Sequence, residues 1–290
     1  MKTFSRYPLY FIVPAFLLYA VLFIYPTAAG FYYSFTDWSS YSKEINFIGM
    51  ENFSRLFTEG VMQTAIRNTL IFAVAVTVLV NVVGLTLALM LNERTLLGSF
   101  YRTAFFIPVV IASIIVGYIF MAILNPEYGI LNKTLRAIGL DALAMNWLPD
   151  TRTALWSIIG TEVWKSAGFA MIIYLSGLKT IPRDLIEQAM VDGAHYLTRF
   201  RHIVFPLLAP AFTVNFLLTV IGSLKVFEIV FVLTGGGPGY ATEVINTFVY
   251  RNFAKGMWGY ATSASIMLTL IVSVVAVSLL IVLRKREIEL

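Results

Sequence analysis

Apolar residues of this chain fall into six long blocks that are separated by more polar segments. Each block has about 20 predominantly apolar residues, the length that spans roughly 30 Å of hydrocarbon as an α-helix. A helix suits such a block because it satisfies its own backbone hydrogen bonds inside a membrane. The pattern therefore predicts an all-α integral membrane protein. The six transmembrane helices are expected near residues 9–30, 70–91, 104–124, 154–178, 207–228 and 262–283.

The composition agrees with this pattern. Of the 290 residues, 59% are hydrophobic and 13% are charged, whereas charged residues make up about a quarter of a soluble domain. The first block is too long for the apolar region of a signal peptide, and no clear small-residue cleavage site follows it. We therefore expect an uncleaved first helix and a single transmembrane domain over residues 1–290.

Charges are distributed unequally between the two sets of connecting segments. If the N-terminus is cytoplasmic, the inner segments hold eleven basic and six acidic residues, and the outer segments hold nine of each. The whole formal charge of +5 then lies on the inner side, as the positive-inside rule requires. The charge pattern predicts that both termini are cytoplasmic and gives no reason to expect a nucleic-acid partner.

The longest inner segment, about residues 179–206, has the pattern of an amphipathic helix or of two short helices joined near Gly193. Pro182 and Asp184 suit a first helical turn. Apolar and small residues recur at three- and four-residue spacing: Ile186, Ala189, Met190, Gly193, Leu197 and Phe200. Such a segment can lie among lipid headgroups or in the groove of a cytoplasmic partner, and the spacing alone leaves both possibilities open.

The fourth block carries charged side chains near the middle of the membrane. Glu162, Lys165, Ser166 and Phe169 have the spacing i, i+3, i+4 and i+7, which places them on one face of a helix. Charges at this depth usually face a cavity or a partner. The face offers an ion pair, a hydroxyl and an aromatic ring, a mixture that suits a sugar. The alternative is a structural Glu–Lys pair that holds the helix against a second subunit.

Neighbouring blocks hold weaker candidates. One face of the fifth block has Asn215, Thr219, Gly222 and Val226, with Ser223 beside them, although small residues can also serve close helix packing. Lys225 and Glu228 repeat the charge spacing at its outer end, and the third block adds Ser113 and Gly117. The predicted substrate contacts are therefore Glu162, Lys165, Ser166, Phe169, Ser113, Asn215, Gly222, Ser223 and Val226.

No residue set suits catalysis or a metal site. The chain has no cysteine and two histidines, His195 and His202, so thiol chemistry is excluded and a metal site is not expected. The stretch TGGGPGYAT (234–242) lacks the G-K-[ST] ending of a phosphate-binding loop, and we expect a turn-rich outer loop there. Asn52 and Asn132 begin N-x-[ST] triplets, which are common by chance. We expect no cofactor and no enzyme activity of this chain alone.

The inner segment resembles the cytoplasmic motif of binding-protein-dependent ABC importer permeases, which is E-A-A, three residues, G, nine residues and I-x-L-P. This chain has Glu187-Gln188-Ala189, then Gly193, then Ile203-Val204-Phe205-Pro206, so that Gln188 and Phe205 replace the usual alanine and leucine. Other stretches, in chain order, resemble the sugar-permease branch of that family: SFTDW, FIGMENF, RNT, YRTAFFIP, LNPEYGILN and VLTGGGPGYATE.

The resemblance implies a type I ABC importer permease of a bacterial cytoplasmic membrane that forms half of a sugar pathway, most suitably for an oligosaccharide. Implied partners are a homologous second permease, two ATPase subunits that bind the ATP, an extracytoplasmic solute-binding protein, the sugar and membrane lipid. It also implies that the Glu162 face lines the sugar path. The ATPase contacts expected from the resemblance are Glu187, Ala189, Asp192, Gly193, Ala194, Phe200 and Pro206. An ion-coupled secondary carrier and a permease for another polyol or a glycerol-phosphate-like solute are the alternatives.

Overall fold

The computed structural model describes residues 9–92 and 97–285. Within these ranges the α-helices are α1 (Val13–Tyr19), α2 (Tyr25–Tyr33), α3 (Glu51–Thr58), α4 (Gly60–Leu91), α5 (Gly98–Val110), α6 (Ser113–Ile123), α7 (Ile130–Ala137), α8 (Ala154–Thr180), α9 (Arg183–Val191), α10 (Tyr196–Arg199), α11 (Phe205–Leu207), α12 (Ala209–Leu224), α13 (Glu228–Thr234), α14 (Ile245–Ala254) and α15 (Trp258–Arg284). Charges of the topology argument that lie outside the described residues are Lys2, Arg6, Glu93, Arg94, Arg286, Glu287 and Glu289.

The described residues confirm the all-α membrane architecture. Four helical spans are long and apolar enough to cross a membrane: Tyr10–Tyr33, Gly60–Leu91, Ala154–Thr180 and Trp258–Arg284. The number rises to six if each of two bent helix pairs is one span, namely α5 with α6 and the Tyr196–Leu207 segment with α12. The six apolar blocks therefore correspond to these six spans, with α4 extending ten residues before the predicted start at residue 70.

The prediction of one unbroken helix over residues 104–124 is wrong. α5 and α6 meet at an angle of 100°. Ile111 and Ala112 between them have extended backbone, with ψ angles of 130° and 138°. Pro108, inside α5, supplies no backbone donor for the helical ladder. The residues around the break are mostly apolar, so the hydropathy pattern does not reveal it.

The fifth predicted span, 207–228, is also wrong at its outer end. A bend of 69° precedes α12, and Pro206 and Pro210 lie on either side of that bend. α12 ends at Leu224, and α13 begins as a separate helix at Glu228. Lys225 and Glu228 therefore do not continue the helical face that the sequence spacing predicted.

The chain divides into two compact units, Met1–Gly60 with Val249–Leu268 and Val61–Phe248 with Thr269–Leu290. In the first unit, the backbone and side-chain nitrogens of Asn46 donate to the Asp37 carboxylate at 2.7 and 3.0 Å. These hydrogen bonds stabilise the ionised carboxylate and lower the pKa of Asp37. The rings of Trp38 and Trp258 pack with centroids 5.0 Å apart.

Both asparagines of the N-x-[ST] triplets hold the fold together with their side-chain amides. Asn52 is buried and donates to the carbonyl oxygens of Ser34 and Thr36 at 3.0 and 2.8 Å. Asn132 is also buried, and its Oδ1 accepts from Trp147 Nε1 at 2.7 Å. Hydrogen bonds within the fold therefore explain why both asparagine side chains are buried.

The core of the second unit lies where long helices approach each other closely. A Cβ atom on Gly84 of α4 would lie 2.5 Å from Ala170 Cβ of α8, and one on Gly177 of α8 would lie 2.6 Å from Ala211 Cβ of α12. The absent side chains therefore allow near contact between α4 and α8 and between α8 and α12. Large, almost fully buried side chains of this unit include Phe72, Ile158, Met171, Tyr174 and Ile229.

The glycine-rich stretch after α13 is a turn-rich loop, as predicted. Gly235, Gly236 and Gly239 have positive φ angles, a conformation that glycine adopts without steric penalty. Asn68 of α4 donates to the carbonyl oxygens of Ala241 and Glu243 at 2.9 and 3.0 Å. The Asn68 side chain thereby binds the backbone of this loop to α4.

Candidate functional site

A cavity of about 230 Å³ in the second unit is lined by α4, α5, α8 and α12. The α8 wall presents Glu162, Lys165, Ser166 and Phe169, and the α12 wall presents Asn215, Thr219, Gly222 and Ser223. The cavity thus brings together seven of the nine residues that the sequence analysis selected as substrate contacts. The sequence missed the apolar part of the lining, since apolar residues in apolar spans carry no distinguishing signal: Val76, Val80, Val109, Ala170 and Leu218.

The Glu162 carboxylate on the α8 wall has a hydrogen-bond partner that the sequence analysis did not name. The Ser166 hydroxyl donates to Glu162 Oε1 at 2.7 Å, one helical turn away. Lys165 lines the same cavity as Glu162, and the Glu162–Lys165 ion pair stays a prediction. The shorter serine reaches the carboxylate across the i, i+4 step, and the long lysine side chain stays at the cavity. Phe169 is 44% exposed, so its ring is accessible.

A buried polar trio, Asn81, Tyr174 and Asn215, connects α4, α8 and α12, and of the three Asn215 lines the cavity. Tyr174 OH donates to Asn81 Oδ1 at 2.5 Å, and Asn215 Nδ2 donates to the same oxygen at 3.0 Å. Asn81 Nδ2 donates to the Thr77 carbonyl oxygen at 2.8 Å. Tyr174 is 0% and Asn215 is 1% exposed. The sequence analysis missed Asn81 and Tyr174; their signal was a lone polar group inside an apolar block.

Two predicted substrate contacts lie away from the cavity. Ser113 is the first residue of α6, directly after the break that the hydropathy pattern did not show. Val226 is buried in the hydrophobic core because α12 ends two residues earlier, at Leu224. Both assignments assumed helices that continue without interruption, and the observed breaks place both residues outside the lining of this cavity.

The inner segment forms two short helices, which is one of the two predicted alternatives. Gly193, between α9 and α10, has a φ of +75°. Its backbone N–H donates to Met190 O at 3.0 Å, and the N–H of Ala194 donates to Ala189 O at 2.9 Å. This pair of hydrogen bonds is the Schellman helix ending, which requires a left-handed residue at the glycine position. His195 accepts the N–H of Leu197 at 3.4 Å and caps α10.

One side of this segment packs against the protein and the other side is open. Ile186, Met190 and Phe200 face a cavity of about 200 Å³ whose opposite wall includes Leu178 and Ile181. On the open side, Val191 is 87% and Leu197 is 66% exposed, and Glu187 and Asp192 are exposed beside them. Ala189, Ala194, Phe200 and Pro206 are half-buried. The open side of the segment therefore combines exposed apolar and charged side chains.

Membrane-spanning helices around a cavity with polar walls define this chain as a membrane transport subunit. Residues 80–287 match the family described as "Binding-protein-dependent transport system inner membrane component". The chain belongs to this family and is the inner-membrane, multi-pass permease subunit of a binding-protein-dependent ABC importer. ATP is bound and hydrolysed by a separate subunit of such an importer, so the permease itself is not an enzyme and holds no cofactor.

Relatives cover nearly the whole chain. It is 39% identical over 268 residues to the probable ABC transporter permease protein YurN of Bacillus subtilis, covering 91% of each chain. It is 34% identical over 281 residues to the probable starch degradation products transport system permease protein AmyD of Thermoanaerobacterium thermosulfurigenes, covering 97% of this chain and 94% of AmyD.

A solved structure is similar over the same length. It is that of a bacterial ABC transporter involved in the import of the acidic polysaccharide alginate, with a TM-score of 0.83, 27% identity, and 96% of this chain and 95% of that chain covered. A second crystal structure of the alginate transporter, in complex with an alginate pentasaccharide-bound periplasmic protein, has a TM-score of 0.81, 27% identity, and coverage of 93% and 92%.

Proposed function

We propose that this permease forms half of the translocation pathway of a sugar importer, most suitably for an oligosaccharide, and that its cavity is the solute-contacting wall. The observation that carries the proposal is the meeting of Glu162, Lys165, Ser166 and Asn215 with the accessible ring of Phe169 in one cavity. Sugars combine hydroxyl groups, which need hydrogen-bond partners, with apolar ring faces that pack on aromatic rings. Starch products and alginate, named for two relatives, are both carbohydrates.

The proposed assembly contains a homologous second permease, two cytoplasmic ATPase subunits and an extracytoplasmic solute-binding protein. A heterodimer of permeases would enclose the pathway, since this chain supplies one cavity wall. The charge asymmetry between inner and outer segments supports cytoplasmic termini in a bacterial membrane. We treat residues 1–290 as one functional transmembrane domain in this assembly.

The inner segment is proposed to dock on the ATPase. Its exposed apolar residues Val191 and Leu197 share the segment with the exposed charges of Glu187 and Asp192, and this amphipathic character suits a protein groove better than free solvent. Closure of the ATPase pair would then push on this segment and switch the cavity between its two sides. The residues proposed to transmit this movement are Glu187, Ala189, Asp192, Gly193, Ala194, Phe200 and Pro206.

Two substitutions on α8 test the proposed cavity. Phe169→Ala removes the ring without changing charge, and we expect sugar uptake by the assembled importer to fall roughly tenfold, about 1.4 kcal/mol in barrier height. Glu162→Gln keeps an oxygen that can accept from Ser166, so the complex should still assemble while uptake and substrate range change. The measurements are the yield of assembled complex and sugar uptake into vesicles.

Their outcomes separate the transport role from a structural one. Full uptake by both variants would exclude this face of α8 as the solute wall. Failure of Glu162→Gln to assemble would instead assign the carboxylate to helix packing, because breaking a buried ion pair with Lys165 would destabilise by about 3–5 kcal/mol. Uptake that continues without the ATPase subunits would contradict the importer proposal and support an ion-coupled carrier.

A further inference from the structure

The buried trio determines which atom of Asn215 faces the cavity. The Thr77 carbonyl oxygen can only accept, so the atom of Asn81 that lies 2.8 Å from it must be Nδ2. Asn81 Oδ1 therefore points toward Tyr174 and Asn215, and it too can only accept. The Asn215 atom at 3.0 Å must then be Nδ2. Asn215 Oδ1 accepts no hydrogen bond from any described residue, and this side chain lines the cavity, so the oxygen is the group presented there.

Two of the three hydroxyl groups in the lining, those of Thr219 and Ser166, direct their protons away from the cavity in the same manner, and Ser223 carries the third. Thr219 Oγ1 donates to the Asn215 carbonyl oxygen at 2.7 Å, and Ser166 Oγ donates to Glu162 Oε1 at 2.7 Å. A hydroxyl has one proton, so both oxygens are left with accepting lone pairs only. Three polar side chains from two helices thus offer acceptors to a solute.

The charged side chains of the lining do not reverse this preference for solutes that donate hydrogen bonds. Glu162 adds a carboxylate, which accepts further hydrogen bonds, and Lys165 is the one cationic side chain among the described lining residues. An anionic solute would place its own acceptors against those of Asn215, Thr219 and Glu162, with a single ammonium to compensate. A neutral polyol would instead donate its hydroxyl protons to them. Burying a polar group without a hydrogen-bond partner costs much free energy. The cavity should therefore bind a neutral polyol more tightly than an anionic solute.

We propose that this cavity selects uncharged polyhydroxylated solutes and rejects anionic ones such as uronates or sugar phosphates. In this scheme Asn81 and Tyr174 are positioning residues that hold the Asn215 amide with its oxygen toward the solute. The inference rests on the proposed sugar-import function and deepens it by naming the charge class of the substrate. It also separates this permease from its structural relative, whose polysaccharide is acidic.

The test compares neutral trisaccharides with derivatives in which one primary hydroxyl is oxidised to a carboxylate. Equilibrium dialysis of each labelled pair against the assembled importer, prepared without its solute-binding protein, reports on the pathway that the two permeases enclose, and the variants of this chain below assign the preference to its own wall. For wild type we expect the neutral member to bind at least about tenfold more tightly, since a tenfold ratio corresponds to roughly 1.4 kcal/mol. Equal or tighter binding of the carboxylates would overturn the inference while leaving sugar transport in place.

Variants of the Asn81–Tyr174–Asn215 trio show whether the orientation of the Asn215 amide causes the preference for neutral sugars. Asn81→Leu removes the oxygen that holds Asn215 Nδ2, so the Asn215 amide can turn. The ratio of the affinity for the neutral sugar to the affinity for its carboxylate should then fall by about threefold or more. Tyr174→Phe removes only the hydroxyl and leaves the Asn81–Asn215 bond, so its ratio should lie between those of wild type and Asn81→Leu. A merely structural trio would lower the yield and weaken both ligands equally, which would contradict the positioning role.

A further outcome would concern the proposed function itself. If an assembled complex that hydrolyses ATP bound neither the neutral sugars nor their carboxylates, the sugar assignment would fail, and the charge selection with it. That result differs from carboxylate preference, in which sugars bind and only the inferred selection is wrong. If Asn81→Leu does not assemble, the wild-type comparison and Tyr174→Phe still decide the inference.

Discussion

The cavity and the inner segment of this permease violate the usual distribution of polar and apolar groups in opposite ways. At the cavity, Asn81, Tyr174 and Asn215 are polar, at most 6% exposed, and bonded to one another inside the membrane-spanning helices. In the inner segment, Val191 and Leu197 are apolar and mostly exposed beside charged residues. The polar side chains of the first region hydrogen-bond to one another, whereas we propose that the apolar side chains of the second become buried against the ATPase.

The difference shows how each region meets its function. A cavity that binds a solute must keep its polar groups oriented before the solute arrives, since preorganised groups lose less freedom on binding. A docking segment needs apolar area that becomes buried only in the complex. Substitutions should therefore damage folding in the first region and association in the second.

The largest expected effect is a difference in protein stability between substitutions of a buried and an exposed leucine. Leu178 of α8 is 7% exposed and lies in the core, whereas Leu197 of the inner segment is 66% exposed. Leu178→Ser should destabilise the permease by roughly 2–5 kcal/mol through lost burial and a cavity. Leu197→Ser should change its stability by less than about 0.5 kcal/mol but weaken binding to the ATPase subunits. Thermal unfolding in detergent and co-purification measure the two properties, and the comparison fails if Leu178→Ser weakens association alone.

The next effect concerns the wall between α5 and α8. A Cβ atom on Gly168 would overlap the backbone carbonyl of Phe105, whereas one on Gly160 of the same helix meets nothing within 4 Å. Gly168→Ala should therefore lower stability by about 1–3 kcal/mol, and Gly160→Ala should be neutral or slightly stabilising in a helix. Melting temperatures of the two variants give the answer; equal values would mean that α5 and α8 do not pack as described.

A moderate effect is expected at the turn of the inner segment. Gly193 has a φ of +75°, and a Cβ atom added to it would meet nothing within 4 Å, so the requirement for glycine is conformational. Gly193→Val should cost about 1–2 kcal/mol locally, leave membrane insertion intact and lower substrate-stimulated ATP hydrolysis. Gly193→Asn is the matched control, because asparagine tolerates the left-handed region. Normal stimulation in the valine variant would show that this turn does not transmit the ATPase movement.

The smallest expected effect on the protein comes from single cysteine substitutions, which test the orientation of the chain in the membrane. The chain has no cysteine, and Ser42 and His195 are both exposed, so single cysteines at these positions should leave stability unchanged. In right-side-out vesicles, an impermeant thiol reagent should label Ser42→Cys and spare His195→Cys. The reverse pattern would invert the orientation, and with it the assignment of the inner segment to the cytoplasm.

Much of the candidate site was predictable from local spacing. The i, i+3, i+4 and i+7 pattern on α8 correctly placed Glu162, Lys165, Ser166 and Phe169 on one face, and all four line the same cavity. Of the two arrangements that the sequence allowed for the inner segment, the structure has the two helices joined near Gly193. These features depend on residues within one or two helical turns of each other, which is the range over which a sequence pattern is informative.

The sequence by itself determined the membrane class, the positions of the apolar blocks and the polar face of α8, because hydropathy and helical periodicity are local properties. Tertiary structure decided where α5 meets α6, why Val226 is core, and how Asn81, Tyr174 and Asn215 meet from three helices. The pairs Asn81–Tyr174 and Asn81–Asn215 are 93 and 134 residues apart in the chain. Their contact depends on how closely α4, α8 and α12 pack, which no local pattern specifies.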